Sequence, residues 1–434
     1  MRRALRSFVD EDVANRIVKR WFRARGRSEG DRYRAVPVPR QHASREFSEL
    51  TMLASFAHVH LAKEGHAGQV GFNLLEKIQI PTLPSLYGAM LAGVDWVLMG
   101  AGIPRHIPGA LDSLADHRPT ALPLTVANAS SEGRCTMSFD PTSLLAGGQP
   151  PLKRPEFAAI VSSHVLAAHL AREQDSRPSA FVVERHTAGG HNAPPRGRLQ
   201  LSGRGEPIYG PRDEVDLERM RELAVPFWLA GGCGHPEKVR EALQQGACGV
   251  QVGTAFALCE ESGLRADLKQ RARERVASSG LVVHTDTAAS PTGYPFKVAQ
   301  LEGTLSEAEI YASRQRRCDL RYLATPYERM DGTVGYRCPA EPVEDHLAKG
   351  GELADTVGRM CLCNGLTSAA GFAQVSKGGV VEPPLLTLGD DASAVVAQLS
   401  PDGRPYSAQD VIAYLLGADA SGTVEAASLS ADEG

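Results

Sequence analysis

Six short apolar runs lie between residues 69 and 252, and none of them alternates between apolar and polar positions. Unbroken apolar runs of this length are typical of parallel strands that are covered on both faces. Helical patterns and polar loops separate the runs, so this rhythm predicts an α/β fold with a parallel sheet. The predicted strands occupy residues 69–73, 94–99, 157–161, 180–183, 226–230 and 249–252.

Helix and loop signals surround these strands. Residues 235–247 carry a proline in the first turn, apolar residues at helical spacing and a glycine stop, which together predict a helix. Residues 122–142 indicate an inserted hairpin or loop, and residues 200–216 form a polar loop that leads to a helix. Two further helices are predicted over residues 264–276 and 305–324.

Small and polar residues follow several of the strands, as expected at the catalytic face of a (β/α)8 barrel. The last two strands run into AGGCG (residues 230–234) and QVGT (residues 251–254). In such barrels a phosphate site commonly follows strands seven and eight, because glycine lets backbone N–H groups approach an anion closely. A Rossmann fold is the alternative, but no G-x-G-x-x-G opens a helix after an early strand. We therefore predict a TIM-type barrel.

The predicted barrel is short of strands at its N-terminal side. Counting back from the last two strands makes residues 69–73 the third strand, so two βα units should come before it. The first 66 residues contain one apolar run, LTMLASFAHVHLAKEGH, and are otherwise arginine-rich and helical in character. We divide the chain into an N-terminal helical or irregular segment that is part of the barrel (1–66), a barrel core (67–262), a C-terminal helical extension (263–417) and a disordered tail rich in Ala, Ser and acidic residues (418–434).

The composition is that of an ordinary globular protein, with 42% hydrophobic and 23% charged residues. A formal net charge of −4 gives no reason to expect nucleic acid or an anionic membrane as a partner. No apolar stretch is long enough for a transmembrane helix, and no secretory signal follows the basic start. We expect a cytoplasmic protein that acts on a small molecule, and homodimerisation through an open barrel edge or the helical extension stays open.

His191 is the strongest single candidate for chemistry. It follows two glycines in TAGGHNAPPRG, at the end of a predicted strand on the catalytic face. An imidazole there can accept or donate a proton near neutral pH. The competing interpretation is a loop histidine that hydrogen-bonds to the backbone.

Three motifs in this order and spacing resemble the nitronate monooxygenase (2-nitropropane dioxygenase-like) flavoproteins: TAGGHNAPPRG, PFWLAGGCG and GVQVGTAFALCEESG. GFNLLEKIQIP upstream and ASPTGYPFKV downstream add to the resemblance, which covers roughly residues 70–298. The resemblance implies an FMN-binding TIM barrel, with His191 as the base that removes the proton next to the nitro group or as a residue beside the flavin.

The resemblance also implies a set of FMN-binding residues. Glu184 occupies a position where family members often have glutamine, so this chain departs from the family pattern at that flavin contact. The implied flavin contacts are Asn73, Glu184, Gly189 and Gly190, and the implied phosphate-binding turns contain Gly231, Gly232, Gln251, Gly253 and Thr254.

The function that this resemblance implies is FMN-dependent oxidation of nitronates, nitroalkanes or a related substrate with an acidic carbon, with O₂ as electron acceptor. The motifs do not separate it from an FMN-dependent enoyl-thioester reductase that serves polyketide or fatty-acid synthesis. A flavin-free binding or scaffold subunit is the third alternative, because the family's usual N-terminal strand and its Gly/Met-rich turn do not precede MRRALRSF. We expect that Met1 is internal to a longer reading frame rather than the start of a natural fragment. For a chain that begins here we predict an incomplete flavin pocket and an open barrel edge.

Four of the eight cysteines fall close together beyond the barrel: Cys318, Cys338, Cys361 and Cys363. Four thiolates can hold zinc or an iron–sulfur cluster, although this spacing lacks the common C-x₂-C pair. Buried free thiols or a disulfide are the alternatives. Lys77, Tyr294 and Lys297 are further polar candidates near the catalytic face.

Overall fold

A six-stranded parallel sheet forms the centre of the computed structural model, which describes residues 1–28, 30–129, 135–145 and 149–417. The six strands stand side by side in the same order in which they follow one another along the chain, as in a barrel. The strands are β1 (Gly71–Leu75), β2 (Trp96–Gly100), β5 (Glu156–Val161), β6 (Ala180–Glu184), β7 (Phe227–Ala230) and β8 (Gly249–Gln251). All six predicted strands are therefore confirmed, and the α/β fold class with them.

The sheet does not close on itself within the described residues, because no ladder joins β1 to β8. The predicted open edge of the barrel is confirmed, and the sheet corresponds to six of the eight strands of a full barrel. Whether the flavin pocket is incomplete stays a prediction.

Both faces of the central strands β5 and β6 are buried, which explains why these strands read as unbroken apolar runs. Along β5 and β6 the outward side chains, such as Phe157 and Phe181, join the main core with the surrounding helices. The inward side chains form a separate cluster of small and aromatic residues: Ala158, Ile160, Ala180, Val182 and Ala230, with Trp96, Leu98 and Trp228 packed against them.

Helices cover the sheet and build the rest of the chain. The apolar run of the N-terminal segment forms the longest helix, α3, and the predicted helix over 235–247 is α8. The helices are α1 (Arg2–Arg6), α2 (Glu11–Trp21), α3 (Arg45–Ala62), α4 (Thr82–Leu91), α5 (Ile107–Ala115), α6 (His164–Arg172), α7 (Leu217–Glu222), α8 (Pro236–Gln244), α9 (Thr254–Ala257), α10 (Ala266–Ser279), α11 (Ala308–Ser313), α12 (Val343–Ala348), α13 (Leu362–Ala369), α14 (Ala392–Leu399) and α15 (Ala408–Leu415).

Three antiparallel hairpins complete the described structure. The predicted insertion at 122–142 contains the pair β3 (Thr120–Pro123) and β4 (Thr136–Phe139). The helical extension also holds two hairpins that the sequence pattern did not predict: β9 (Val283–Asp286) with β10 (Phe296–Ala299), and β11 (Thr325–Glu328) with β12 (Val334–Arg337).

The helix predicted over 305–324 is wrong beyond its first part, since α11 ends at Ser313. The chain leaves the helix because the arginines that follow turn inward. Arg314 is 5% exposed and pairs with the buried Glu382, which a continuous surface helix would not allow. The predicted division into domains stays a prediction, and the predicted disordered tail, 418–434, lies outside the described residues. No helix in the described part of the chain combines the length and hydropathy needed to cross a membrane.

Helices α3 and α4 pack so closely that one glycine of α4 is in contact with the backbone of α3. A Cβ added at Gly88 would lie 2.0 Å from the carbonyl oxygen of Met52. We predict that Gly88→Ala forces the helices apart and lowers the free energy of unfolding by about 1–3 kcal/mol. Urea unfolding followed by circular dichroism measures this change.

Gly109 is the matched control, because it also lies within a helix, α5, but a Cβ there meets nothing within 4 Å. Gly109→Ala should raise the free energy of unfolding by roughly 0.5–1 kcal/mol through helix propensity. Equal effects of the two substitutions would contradict the close packing of α3 and α4.

Candidate functional site

Two adjoining cavities open where the strands of the parallel sheet end. The first, here called the glycine-lined cavity, has a volume of about 340 Å³ and lies at the ends of β6, β7 and β8. The second, the apolar cavity, has a volume of about 390 Å³ and contains His191. Both volumes fall in the range of small-molecule sites, about 300–1,000 Å³. The two cavities share five residues: Asn73, Glu184, Gly189, Gly190 and Thr387.

The structure brings all nine predicted cofactor-binding residues to the wall of the glycine-lined cavity. They come from the middle of β1 and from the ends of β6, β7 and β8 with the loops that follow, and the carboxyl ends of parallel strands share one edge of the sheet. Their roles toward a cofactor stay a prediction. The nine residues are Asn73, Glu184, Gly189, Gly190, Gly231, Gly232, Gln251, Gly253 and Thr254.

The turn after β7 requires glycine. Gly231 and Gly232 have φ angles of +88° and +66°. A Cβ on Gly231 would lie 2.9 Å from both the amide nitrogen of Ala188 and Oγ1 of Thr187. Oγ1 of Thr187 is buried and has no hydrogen-bonding partner among the described residues, although Thr187 lines the cavity. A backbone turn without side chains beside an unsatisfied hydroxyl fits a bound polar group such as a phosphate.

A segment near the C-terminus, residues 387–391, forms one wall of the glycine-lined cavity. Oγ1 of Thr387 accepts a hydrogen bond from the amide of Gly190 at 2.8 Å. The amide of Gly389 donates to Oγ1 of Thr254, also at 2.8 Å. The hydroxyl of Thr254, which was predicted to bind phosphate, therefore already accepts one hydrogen bond. Its own proton remains free to donate.

Asp391 brings a negative charge to this wall. Its Oδ2 accepts a hydrogen bond from the amide of Gly234 at 3.3 Å, and its side chain does not cap its own helix, α14. Burial raises the pKa of Asp391, and the nearby negative charge of Asp390 acts in the same direction. An anion in the cavity would compete with this carboxylate for the Gly234 N–H.

Lys297 anchors the same segment. Its ammonium group is 2% exposed and contacts both carboxylate oxygens of Asp390, at 2.6 and 2.7 Å, and Oγ1 of Thr285 at 2.6 Å. Lys297 is thus a buried structural cation and not a polar group exposed at the catalytic face.

His191 lies in the apolar cavity with one ring nitrogen held. Its Nε2 is 2.7 Å from Oγ of the buried Ser290, whose hydroxyl in turn contacts Oγ1 of Thr292 at 2.8 Å. The ring of Phe296 packs edge-on against the imidazole at a centroid distance of 4.9 Å. Burial, and to a smaller extent the positive charge of Lys77, lowers the pKa of His191 to about 4. The imidazole is therefore neutral at physiological pH and can accept a proton.

Glu184 is the group of this site that titrates near neutral pH. It ends β6 and lines both cavities. Its carboxyl group has no hydrogen-bonding or ionic partner among the described residues, and burial raises its pKa to about 7. Where glutamine would offer a fixed amide, this chain has a group that switches between donor and anion around pH 7.

Lys77 supplies a positive charge that acts on His191. Its ammonium group lies 4.9 Å from the ring centroid of Tyr294 and 3.8 Å from Oε2 of Glu76. The two predicted polar candidates, Lys77 and Tyr294, thus meet beside the catalytic face. They line a third cavity, about 390 Å³, that also contains Arg105 and His106.

The four clustered cysteines do meet in space, but not as a metal site. Cys318, Cys338, Cys361 and Cys363 pack around one small cluster as free thiols. Within the described ranges, no group of three or more His, Cys, Asp or Glu residues is arranged to hold a metal ion. The predicted zinc or iron–sulfur site therefore finds no support. The thiols have different neighbours. The thiol of Cys318 is hydrogen-bonded to the thiol of Cys338, and the sulfur of Cys361 accepts from the side-chain amide of Asn364. Cys363 lines the apolar cavity.

Comparison with known proteins finds similarity to one family over the central part of the chain. Residues 149–290 match the family model described as nitronate monooxygenase. A nitronate monooxygenase of Pseudomonas aeruginosa is 32% identical over 154 residues, which cover 34% of this chain and 42% of that relative. The matched part thus spans less than half of the relative's length. The predicted resemblance to the nitronate monooxygenase family is confirmed over this central segment, which carries β5 to β8 and the loop with His191.

Two solved structures show more distant likeness. FabK from Thermotoga maritima is 16% identical, with a TM-score of 0.45 and coverage of 84% of this chain and 79% of its own. A nitroalkane oxidase from Streptomyces ansochromogenes is 17% identical, with a TM-score of 0.39 and coverage of 89% and 79%.

The sequence motifs did not reveal Thr187, Ser290, Thr387 or Asp391. Ser290 stands in the quoted motif ASPTGYPFKV, but its bond to His191 joins residues far apart in the chain. The pattern GDDAS before an apolar helix, residues 389–393, is a helix-start signal that would have drawn attention to Asp391.

We predict that Glu184 makes stability depend on pH around neutrality. A glutamate in the unfolded chain titrates near pH 4.3, so the native chain binds an extra proton between about pH 4.3 and pH 7 and loses stability as pH rises through that window. Glu184→Gln removes this loss. The free energy of unfolding of Glu184→Gln minus that of the native chain should be larger at about pH 8 than at about pH 5, by roughly 1–3 kcal/mol.

Urea titrations at the two pH values measure this difference. Glu222→Gln, at an exposed position of α7, is the matched control for the chemical change. A difference between Glu184→Gln and the native chain that is the same at both pH values would contradict the neutral-range titration of Glu184.

Proposed function

We propose that the chain is an FMN-dependent oxidoreductase of the nitronate monooxygenase type, which oxidises nitronates or nitroalkanes with O₂ as electron acceptor. One observation carries this proposal. Every residue that the family resemblance assigns to FMN lines one cavity, and four of them also line the adjoining apolar cavity that contains His191. The match of residues 149–290 to the family model also supports it.

The residues present fit the phosphate of FMN. The glycine turn after β7, the unsatisfied hydroxyl of Thr187 and the Gly253–Thr254 turn would hold the phosphate. Asn73, Glu184 and the Gly189–Gly190 backbone, which the two cavities share, would contact the rest of the group. When bound, FMN supplies the acceptance of electrons from the substrate and their transfer to O₂.

The chain's own contribution is proton transfer and charge stabilisation. His191 is neutral, and Ser290 fixes its Nε2, so its Nδ1, which has no partner among the described residues, is free to accept a proton from the carbon next to a nitro group. Lys77 provides a positive charge near the imidazole that would stabilise the nitronate anion formed by that transfer. The apolar lining excludes water and suits an alkyl substituent.

A second candidate is an FMN-dependent enoyl-thioester reductase, and the shape of the apolar cavity favours it. That cavity continues past His191 to Leu323, Leu362 and Leu366, which would also suit an acyl chain. Reduced nicotinamide oxidation that an enoyl thioester stimulates would support the reductase. Oxygen consumption with a nitronate would support the oxidase.

We predict that His191→Gln separates nitroalkane from nitronate oxidation. A nitroalkane must lose a proton before it is oxidised, and removal of a positioned general base costs about 10²–10⁴-fold in rate. A nitronate has already lost that proton, so its oxidation should decrease much less. Oxygen-electrode assays with a nitroalkane and its preformed nitronate measure both rates.

His186→Gln is the matched control, since His186 lies in the same loop but its ring stacks on Tyr209 at 4.1 Å, away from both cavities. It should leave both rates near those of the native chain. Equal losses on the two substrates in His191→Gln would rule out His191 as the base.

We predict that Asp391→Asn strengthens FMN binding. The substitution removes a negative charge beside the phosphate cradle, while the asparagine oxygen can still accept from Gly234. FMN affinity should rise by about tenfold, and riboflavin affinity should not change because riboflavin has no phosphate. Quenching of flavin fluorescence on binding measures both.

Asp402→Asn is the control for a lost carboxylate at an exposed site, where Asp402 pairs with Arg404. A similar gain for FMN and riboflavin would show that Asp391 acts on the whole site rather than on the phosphate. A native chain and an Asp391→Asn variant that both fail to bind either flavin would favour the flavin-free binding subunit instead.

A further inference from the structure

A fourth cavity lies next to the apolar cavity, on the other side of the chain segment that begins helix α13. This arginine cavity has a volume of about 130 Å³, and three arginines line it: Arg314, Arg316 and Arg359. Tyr311 and Cys361 also line it, and no acidic residue does. Nothing in the proposed oxidoreductase chemistry uses this site.

Two of the three positive charges are not balanced. Arg316 donates to the carbonyl oxygens of Pro339 and Thr356 and to the hydroxyl of Tyr311, at 3.2, 2.7 and 3.3 Å. These acceptors are neutral, and Arg316 has no ion pair among the described residues.

Arg359 repeats this pattern. It donates only to backbone carbonyl oxygens, those of Asp355, Ala288 and Ser290. It too has no ion pair within the part of the chain that the structure describes. Neutral acceptors satisfy some N–H groups of a guanidinium but leave its charge uncompensated.

Arg314 adds an unsatisfied donor. Its side chain is 5% exposed, and its Nε donates to the buried carboxylate of Glu382. That carboxylate is shared, because Arg317 also lies 3.3 Å from its second oxygen. The Nη2 of Arg314 is buried and has no hydrogen-bonding partner among the described residues. A buried guanidinium N–H without an acceptor is costly, and an anion would remove that cost.

We propose that the arginine cavity binds one small tetrahedral oxyanion, of the inorganic phosphate or sulfate type. Three guanidinium groups offer the forked donors that match such an anion, and no carboxylate lines the cavity to compete with it. The volume is below the range of about 300–1,000 Å³ in which larger ligands bind, so a nucleotide does not fit.

The arginine cavity is also connected to His191 through Ser290. Arg359 donates to the carbonyl oxygen of Ser290, and the hydroxyl of Ser290 holds Nε2 of His191. An anion that fixes Arg359 would therefore stiffen the loop behind the imidazole without entering the apolar cavity.

Isothermal titration with inorganic phosphate, and separately with sulfate, tests the proposal on the full chain at constant ionic strength in chloride. The titrations are made with and without excess FMN, because FMN would occupy the glycine-lined cavity and leave the arginine cavity free. We expect saturable binding of one anion per chain that persists with FMN. Arg316→Gln should weaken it roughly ten- to hundredfold, the effect of losing charged hydrogen bonds.

Arg404→Gln, at a side chain that is 84% exposed, is the matched control and should bind the anion like the native chain. The proposal is overturned if neither anion binds the native chain saturably, if Arg316→Gln binds as tightly as the native chain, or if FMN displaces the anion. Where Arg316→Gln does not fold, the native chain alone decides. Phosphate must then raise its thermal unfolding midpoint in the presence of FMN more than chloride does at equal ionic strength. If the chain does not bind FMN, the titrations with FMN give no further information. The anion affinities of Arg316→Gln and Arg404→Gln then test the proposal.

Discussion

The ion pair between the buried Lys297 and the partly exposed Asp390 holds the candidate site together. A buried ammonium group requires a partner of opposite charge, because removal of that partner would leave an uncompensated charge in the interior. Lys297 satisfies this need with both oxygens of Asp390 and with Thr285, which lies across the hairpin on β9. Its backbone amide donates to the carbonyl oxygen of Gly190, at 2.9 Å. One residue thus ties β10 to the loop of His191 and to the wall formed by residues 387–391.

The site that results has two ends with opposite electrostatic character. At the apolar end, burial keeps His191 neutral and brings Glu184 close to its titration at physiological pH. At the glycine-lined end, amide groups and hydroxyls face the cavity, and Asp391 opposes any anion there. A buried base beside a nearby cation suits removal of a proton from carbon, whereas the polar end suits the binding of a charged handle. Proton removal and the binding of a charged group are therefore assigned to different ends of the site.

The sequence allowed prediction of the features that depend on local pattern. The six strands were found because each is a short apolar run between helix and loop signals. The nine cavity residues were found through the motifs that resemble the family, and they meet because the carboxyl ends of parallel strands share one edge of the sheet. The contacts that were missed join residues distant in the chain. Thr387 meets Gly190, Asp391 meets Gly234 and Ser290 meets His191, and no local periodicity marks such pairs. The helix prediction over 305–324 was wrong for a related reason, since the partner that draws Arg314 inward, Glu382, lies far along the chain.

Asp391 can leave the cavity wall without disturbing the rest of the site, because the two neighbouring aspartates are held differently. The backbone of Asp390 donates to the carbonyl oxygen of Thr187, and its carboxylate is fixed on Lys297. Asp391, in contrast, contributes one long hydrogen bond of 3.3 Å to Gly234, and its carboxylate makes no bond to its own helix. Rotation of the Asp391 side chain alone would therefore free the Gly234 N–H and leave the contacts of Asp390 in place.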